Sequence, residues 1–142
     1  MKKYVFLPDI AIADIAFDAY GKNEEQLLQH AAEALLEMMV DVKTVNATTK
    51  KMITLENEKL DALLFDFLNE IVFLKDKDYL VFKTITVTLK KNKEYRLTAA
   101  LEGEEINPEK HDLGNDVKAI TMHLFEVKKE KDYWKARVVV DI

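Results

Sequence analysis

The chain has 142 residues, 49% of them hydrophobic and 33% charged, with three glycines and two prolines; these proportions fit one compact globular domain over residues 1–142 and exclude a disordered or fibrous chain. Cysteine is missing from the sequence, which excludes disulfides, thiolate metal sites and a thiol nucleophile. The formal net charge is -5, and lysines alternate with acids, as in Lys128-Lys129-Glu130-Lys131-Asp132, so no basic stripe is available to neutralise phosphates and direct nucleic-acid binding is not expected.

Met1-Lys2-Lys3-Tyr4 leads into only a brief apolar stretch before Pro8-Asp9, too short for a signal segment or a membrane span, which predicts a soluble, cytoplasmic protein. Tyr4 to Leu7 and Ile15 to Tyr20 read as short strands separated at Pro8, with Gly21 as a turn residue. Asn23 and Gln26 form a capping-box pair, Glu24 and Glu25 suit the positive end of a helix dipole, and Leu27, Leu28, Ala31, Leu35, Met38 and Met39 recur at helical spacing. Met38 and Met39 are expected to fill core space. Met52 to Leu55 predicts a short strand, and Asn57 is placed to cap a second helix whose stripe is Leu60, Leu63, Leu64, Phe67, Leu68, Ile71, Val72 and Leu74.

Beyond that helix the period changes to two. Val81, Ile85, Val87 and Leu89 alternate with Thr84, Thr86 and Thr88, and Tyr95, Leu97, Ala99 and Leu101 follow after Lys91-Asn92, predicting a hairpin with one wet face. Gly103, Pro108 and Gly114 bracket a polar loop of roughly ten residues, long enough to suggest a function. Asp116 to Val127 and Tyr133 to Val140 predict a closing antiparallel pair. Two helices early and four strands late give an α+β fold, a mostly antiparallel sheet with both helices packed on it.

Asp14 stands just before the second strand and Asp141 just after the last, next to the final residue, Ile142. If those strands are antiparallel neighbours, Asp14, Asp141 and the Ile142 carboxylate converge into hard oxygen ligands for Ca²⁺, Mg²⁺ or Mn²⁺; the alternative is two ordinary surface acids. Parity puts Asp141 on the face of Arg137 and Lys135, opposite Val138 and Val140. Lys118 shares a strand face with Ile120, Met122 and Leu124, where its stem can cover apolar surface while its ammonium reaches water. Thr121 and His123 share the other face and could meet a ligand or partner. His30 and His111 are expected to be solvated. Phosphate loops, dinucleotide fingerprints and nucleophile elbows are all missing from the sequence.

Three blocks together resemble the archease family: Ala13-Asp14-Ile15 with Ala19-Tyr20-Gly21; Leu63-Leu64-Phe65-Asp66-Phe67-Leu68-Asn69-Glu70; and Val117-Lys118-Ala119-Ile120-Thr121 with Val140-Asp141-Ile142. The resemblance covers nearly the whole chain. It implies a small α+β protein with a topology likened to the chaperone Hsp33, serving as a non-enzymatic protein cofactor of an RtcB-type RNA-splicing ligase. In that role it promotes ligase guanylation and repeated turnover in joining tRNA exons, and meets RNA only through the ligase, away from membranes. The family's metal site maps onto Asp14, Asp141 and Ile142, with Ca²⁺ foremost and Mg²⁺ or Mn²⁺ as alternatives; Lys118, Thr121 and His123 become partner-facing residues. One departure stands out: where many members read His-Thr-Ala-Asp, this chain has Ala11-Ile12-Ala13-Asp14, so whatever that His and Thr supply is lost or comes from elsewhere, as from Asp9. A chaperone-like interaction module is the second expectation, and a small metal-dependent hydrolase ranks last because no acid-base pair accompanies the carboxylates.

Overall fold

Helix-period and strand-period stretches fold where their patterns place them. The computed structural model describes residues 2–8 and 14–142. Within them the elements run β1 (Tyr4–Phe6), β2 (Ile15–Gly21), α1 (Glu24–Met39), a 3₁₀ turn (Val42–Thr44), β3 (Thr49–Asn57), α2 (Leu60–Asp78), β4 (Leu80–Lys91), β5 (Tyr95–Glu105), β6 (Ala119–Lys129) and β7 (Trp134–Asp141). The fold is α+β and every strand pairing is antiparallel.

The strands divide between two sheets, ordered β1-β2-β7-β6 and β3-β5-β4, where the sequence pattern suggests one. Helix side chains explain where the second sheet stops. On the outer edge of β4, the Gln29 amide donates to the Ile85 carbonyl (2.6 Å) and accepts from the Val87 N–H (2.7 Å), while Glu25 accepts from the Leu89 N–H (2.9 Å). Those groups would otherwise pair with another strand. Each helix bridges the sheets, α1 touching β2, β7 and β4, and α2 touching β6, β3, β4 and β5.

The periodic stripes form the core between these layers. Leu27, Leu28, Ala31 and Leu35 of α1 and Leu64, Phe67, Leu68 and Ile71 of α2 have no exposed surface, and they pack with Phe17, Leu97, Leu101, Ala136 and Val138 in one cluster. Each such large apolar side chain contributes about 1.5–3 kcal/mol by burial. Met38 and Met39 lie in the same cluster.

Local signals fix the helix starts. Asn23 Oδ1 accepts the Gln26 N–H (2.8 Å), and Gln26 Oε1 in return accepts the Lys22 N–H (3.0 Å), one residue before the cap. Gly21 is required here, because a Cβ would lie 2.4 Å from the Leu27 nitrogen. Asn57 does not cap α2 as its position suggested. It stays in β3 and accepts the Lys59 N–H (2.9 Å), leaving Lys59 at the cap without a side-chain bond. The long polar loop after β5 carries His111, which is buried rather than solvated: Nδ1 accepts the Asn107 N–H (2.9 Å) and Nε2 lies 3.4 Å from Glu104.

The last hairpin departs from simple alternation. Thr121 is opposite Val139, but the next paired residue is Glu126, opposite Arg137. The residues between bulge outward, Leu124 taking a left-handed φ of 55°. Met122 and Leu124 are therefore exposed, at 70% and 49%, not on a core face as strict alternation implied. Phe125 supplies the cause, since its ring packs edge-on against Phe65 of α2, centroids 5.4 Å apart.

Candidate functional site

The second and last strands are antiparallel neighbours, in register from Ile15 opposite Val140 to Gly21 opposite Trp134. Asp14, one residue before Ile15, thus comes beside Asp141, one residue after Val140, at the same end of the pair. β6 closes the other side of Asp141: Ala119 is its cross-strand partner, and the Lys118 N–H donates to its carbonyl at 2.8 Å. Asp14, Asp141 and Ile142 are all half-buried, and Ile142 packs against the main core. Three segments far apart in sequence meet here, and the strands rather than a loop hold them.

The charges on this face are unevenly matched. Arg137 and Lys135, which share Asp141's face, are committed to Asp18 of β2: Arg137 donates through Nε and Nη2 at 2.8 and 2.9 Å, and Lys135 Nζ stands 3.6 Å away. Asp18 holds the Arg137 guanidinium further above its already high range. Lys128 and Glu126 of β6, opposite Lys135 and Arg137, also lie on this face, and Lys128 pairs with Glu126 and Glu130 at 3.9 and 3.1 Å. Among the described residues no lysine, arginine or histidine forms a salt bridge with the Asp14 or Asp141 carboxylate.

Among the described residues no three His, Cys, Asp or Glu side chains group as a metal cage. What the strand ends offer is two side-chain carboxylates and the main-chain carbonyl of Ile142. All of these are hard donors, which fit Ca²⁺, Mg²⁺ or Mn²⁺ better than a softer ion. Asp9 and the Ala11-Ile12-Ala13 stretch lie outside the described residues.

Lys118 precedes β6 and is exposed, as is His123 in the bulge; Thr121 is half-buried and its hydroxyl donates to the Val139 carbonyl at 3.1 Å. Lys118 thus meets Asp141 through its backbone with its side chain exposed, His123 is exposed in the bulge further along β6, and Thr121 braces the strand pair. His30 is not simply solvated: it is half-buried with Nδ1 2.6 Å from the Tyr20 carbonyl. Sequence reasoning missed Asp18, although an acid inside the apolar run Ile15 to Tyr20, at the parity of Asp14, was a visible signal. It also missed Asn69 of α2, whose Oδ1 accepts the Ile120 N–H at 3.1 Å.

The three sequence blocks that suggested a family are therefore contiguous in space: the start of β2, the middle of α2, and the start of β6 with the end of β7. The model of the archease protein family matches residues 4–142. The chain belongs to the archease family. It is 36% identical to a protein archease of Methanosarcina barkeri, covering 99% of this chain and 97% of that protein. It is 39% identical to one from Thermococcus kodakarensis, covering 92% and 93%. The archease fold seen here is similar to the solution structure of Methanobacterium thermoautotrophicum protein 1598, with a TM-score of 0.83, 33% identity and complete coverage of both chains. The crystal structure of a Thermotoga maritima archease, described as a possible chaperone, aligns with a TM-score of 0.65 and 25% identity over 96% of each chain. No helix among the described residues is long and apolar enough to cross a membrane.

Proposed function

We propose that this archease family member is an accessory protein of an RtcB-type RNA-splicing ligase. In this reading it is not itself a catalyst, works in the cytoplasm, and promotes ligase guanylation and repeated turnover through a divalent cation held by Asp14, Asp141 and Ile142. The observation that carries the proposal is the β2–β7 register, which brings Asp14 beside Asp141, neither of them in a salt bridge among the described residues. The family resemblance supplies the ligase.

A bound Ca²⁺, Mg²⁺ or Mn²⁺ supplies positive charge for phosphate oxygens when a nucleotide is brought near. The chain's own part is placement. The strand pair holds both carboxylates at a sheet end, Asp18 draws Arg137 and Lys135 away from them, and exposed Lys118 and His123 flank the position a partner would approach. RNA reaches the protein only through the ligase, in keeping with the net charge of -5.

The test is multiple-turnover RNA ligation by an RtcB-type ligase with and without this protein. Stimulation by the wild type is expected, with its loss in Asp14→Ala and Asp141→Ala at unchanged folding; normal stimulation by both variants would defeat the cation mechanism. Exposed Met122 and Leu124, together with the description of the Thermotoga maritima relative, favour a chaperone as the second reading. Suppressed aggregation of unrelated proteins without ligase stimulation would select it.

A further inference from the structure

Two side chains of α2, Asn69 and Lys75, reach the segment that flanks Asp141. Asn69 Nδ2 donates to the Phe65 carbonyl at 3.2 Å, which turns Oδ1 outward to accept the Ile120 N–H at 3.1 Å. Six positions on, Lys75 Nζ donates to the Val117 carbonyl at 2.8 Å and to Asp116 Oδ1 at 3.1 Å, and pairs with Asp76 at 2.8 Å. Lys75 is a 7% exposed lysine inside a helix face. Asparagine is also a poor helix former in mid-helix, by about 0.7 kcal/mol against alanine. Helix propensity therefore does not account for Asn69, nor for the burial of the Lys75 ammonium.

The spacings match. Six helical residues rise about 9 Å, and the three extended steps from Val117 to Ile120 cover about 10 Å. The helix thus acts as a ruler against which the lead-in to β6 is laid. Between the two anchors lies Lys118, whose N–H holds the Asp141 carbonyl at 2.8 Å, and Ile120 is in register with Val140. β6 is an edge strand, and among the described residues its outward Ile120 N–H is held by Asn69 of α2.

We infer that Asn69, with Lys75 as a second anchor, is a positioning residue for the strand-end site: it fixes the 117–120 segment on α2 and thereby sets where Asp141 stands relative to Asp14. The metal readout below rests on the cation reading of the site, whereas the exchange readout does not.

The experiment pairs amide hydrogen exchange of the metal-free protein with a Tb³⁺ luminescence titration, on wild type, Asn69→Leu, Asn69→Asp and Lys75→Met. Asn69→Asp keeps an acceptor for Ile120. In Asn69→Leu and Lys75→Met, exchange at the Lys118 N–H, which neither side chain touches, should quicken about tenfold while that at Val87, held by Gln29 on the far sheet, stays unchanged. Tb³⁺ affinity should drop about tenfold, the scale of lost outer-shell support, and Asn69→Asp should restore both quantities. Unchanged exchange at Lys118, unchanged Tb³⁺ affinity where the wild type binds, or an equal rise at Val87 each overturns the inference. If the wild type shows no saturable Tb³⁺ binding, the cation reading fails by itself, and the Lys118 exchange alone decides for or against the anchor.

Discussion

Replacing Arg137 by methionine should cost more stability than removing the charge of the aspartate it binds. The Asp18 side chain is only 4% exposed and accepts two bonds from Arg137, whose own side chain is 32% exposed. Without Arg137, a buried carboxylate is left with Lys135 alone, at 3.6 Å. Without the Asp18 charge, in Asp18→Asn, the remaining cation can turn to water. Breaking a buried pair costs up to about 3–5 kcal/mol, and the partial exposure of Arg137 puts Arg137→Met near the lower end, about 3 kcal/mol, against about 1–2 kcal/mol for Asp18→Asn. For a chain of this size these translate to roughly 9 °C and 4 °C in Tm. Urea and thermal unfolding followed by circular dichroism would measure both, and the double variant would complete a cycle with a coupling of about 1 kcal/mol or more. An Asp18→Asn cost equal to or above that of Arg137→Met, or coupling below about 0.3 kcal/mol, would mean that Arg137 does not compensate the buried Asp18 carboxylate.

Glu104 offers a pH test. Its hydrogen bond from Lys110, with a further one from the Asn46 N–H, holds its carboxyl below the ordinary glutamate range. A depressed folded value means that the contact stabilises fully above the unfolded value of about 4.3 and is lost as pH falls through the folded value. Exchange at Asn46 should therefore quicken only below about pH 4, and an onset near pH 6 would contradict this assignment. Leu124→Gly should raise Tm by about 3 °C, because it relieves roughly 1 kcal/mol of left-handed backbone strain at a side chain already 49% exposed. A fall in Tm would mean that Leu124 makes contacts worth more than its backbone cost.

Local chemistry made much of this fold legible. The stripes of α1 and α2 and the alternation of β4 and β5 depend only on neighbours in sequence, and those elements fold as read. The division into two sheets depends instead on Gln29 and Glu25 reaching across 56 to 64 positions to close the β4 edge, which no periodicity records. The bulge at Met122 to Phe125 was hidden for a similar reason, because it follows from Phe125 meeting Phe65 on another element. His111 looked solvated because its loop is polar, and the Asn107 N–H that donates to it and the Glu104 carboxylate beside it come near only once the loop closes. At the site, the positions of Asp14 and Asp141 at opposite ends of two strands were readable, since antiparallel pairing alone brings them together. Asn69 and Lys75 were not, because on a helical wheel they read as ordinary members of α2.

A calorimetric titration of Ca²⁺ into the wild type, Asp14→Asn and Asp141→Asn tests the strand-end site most directly. A single saturable site is expected in the wild type, lost in either variant while Tm is unchanged. Equal Ca²⁺ binding by all three proteins, or none by the wild type, would contradict it.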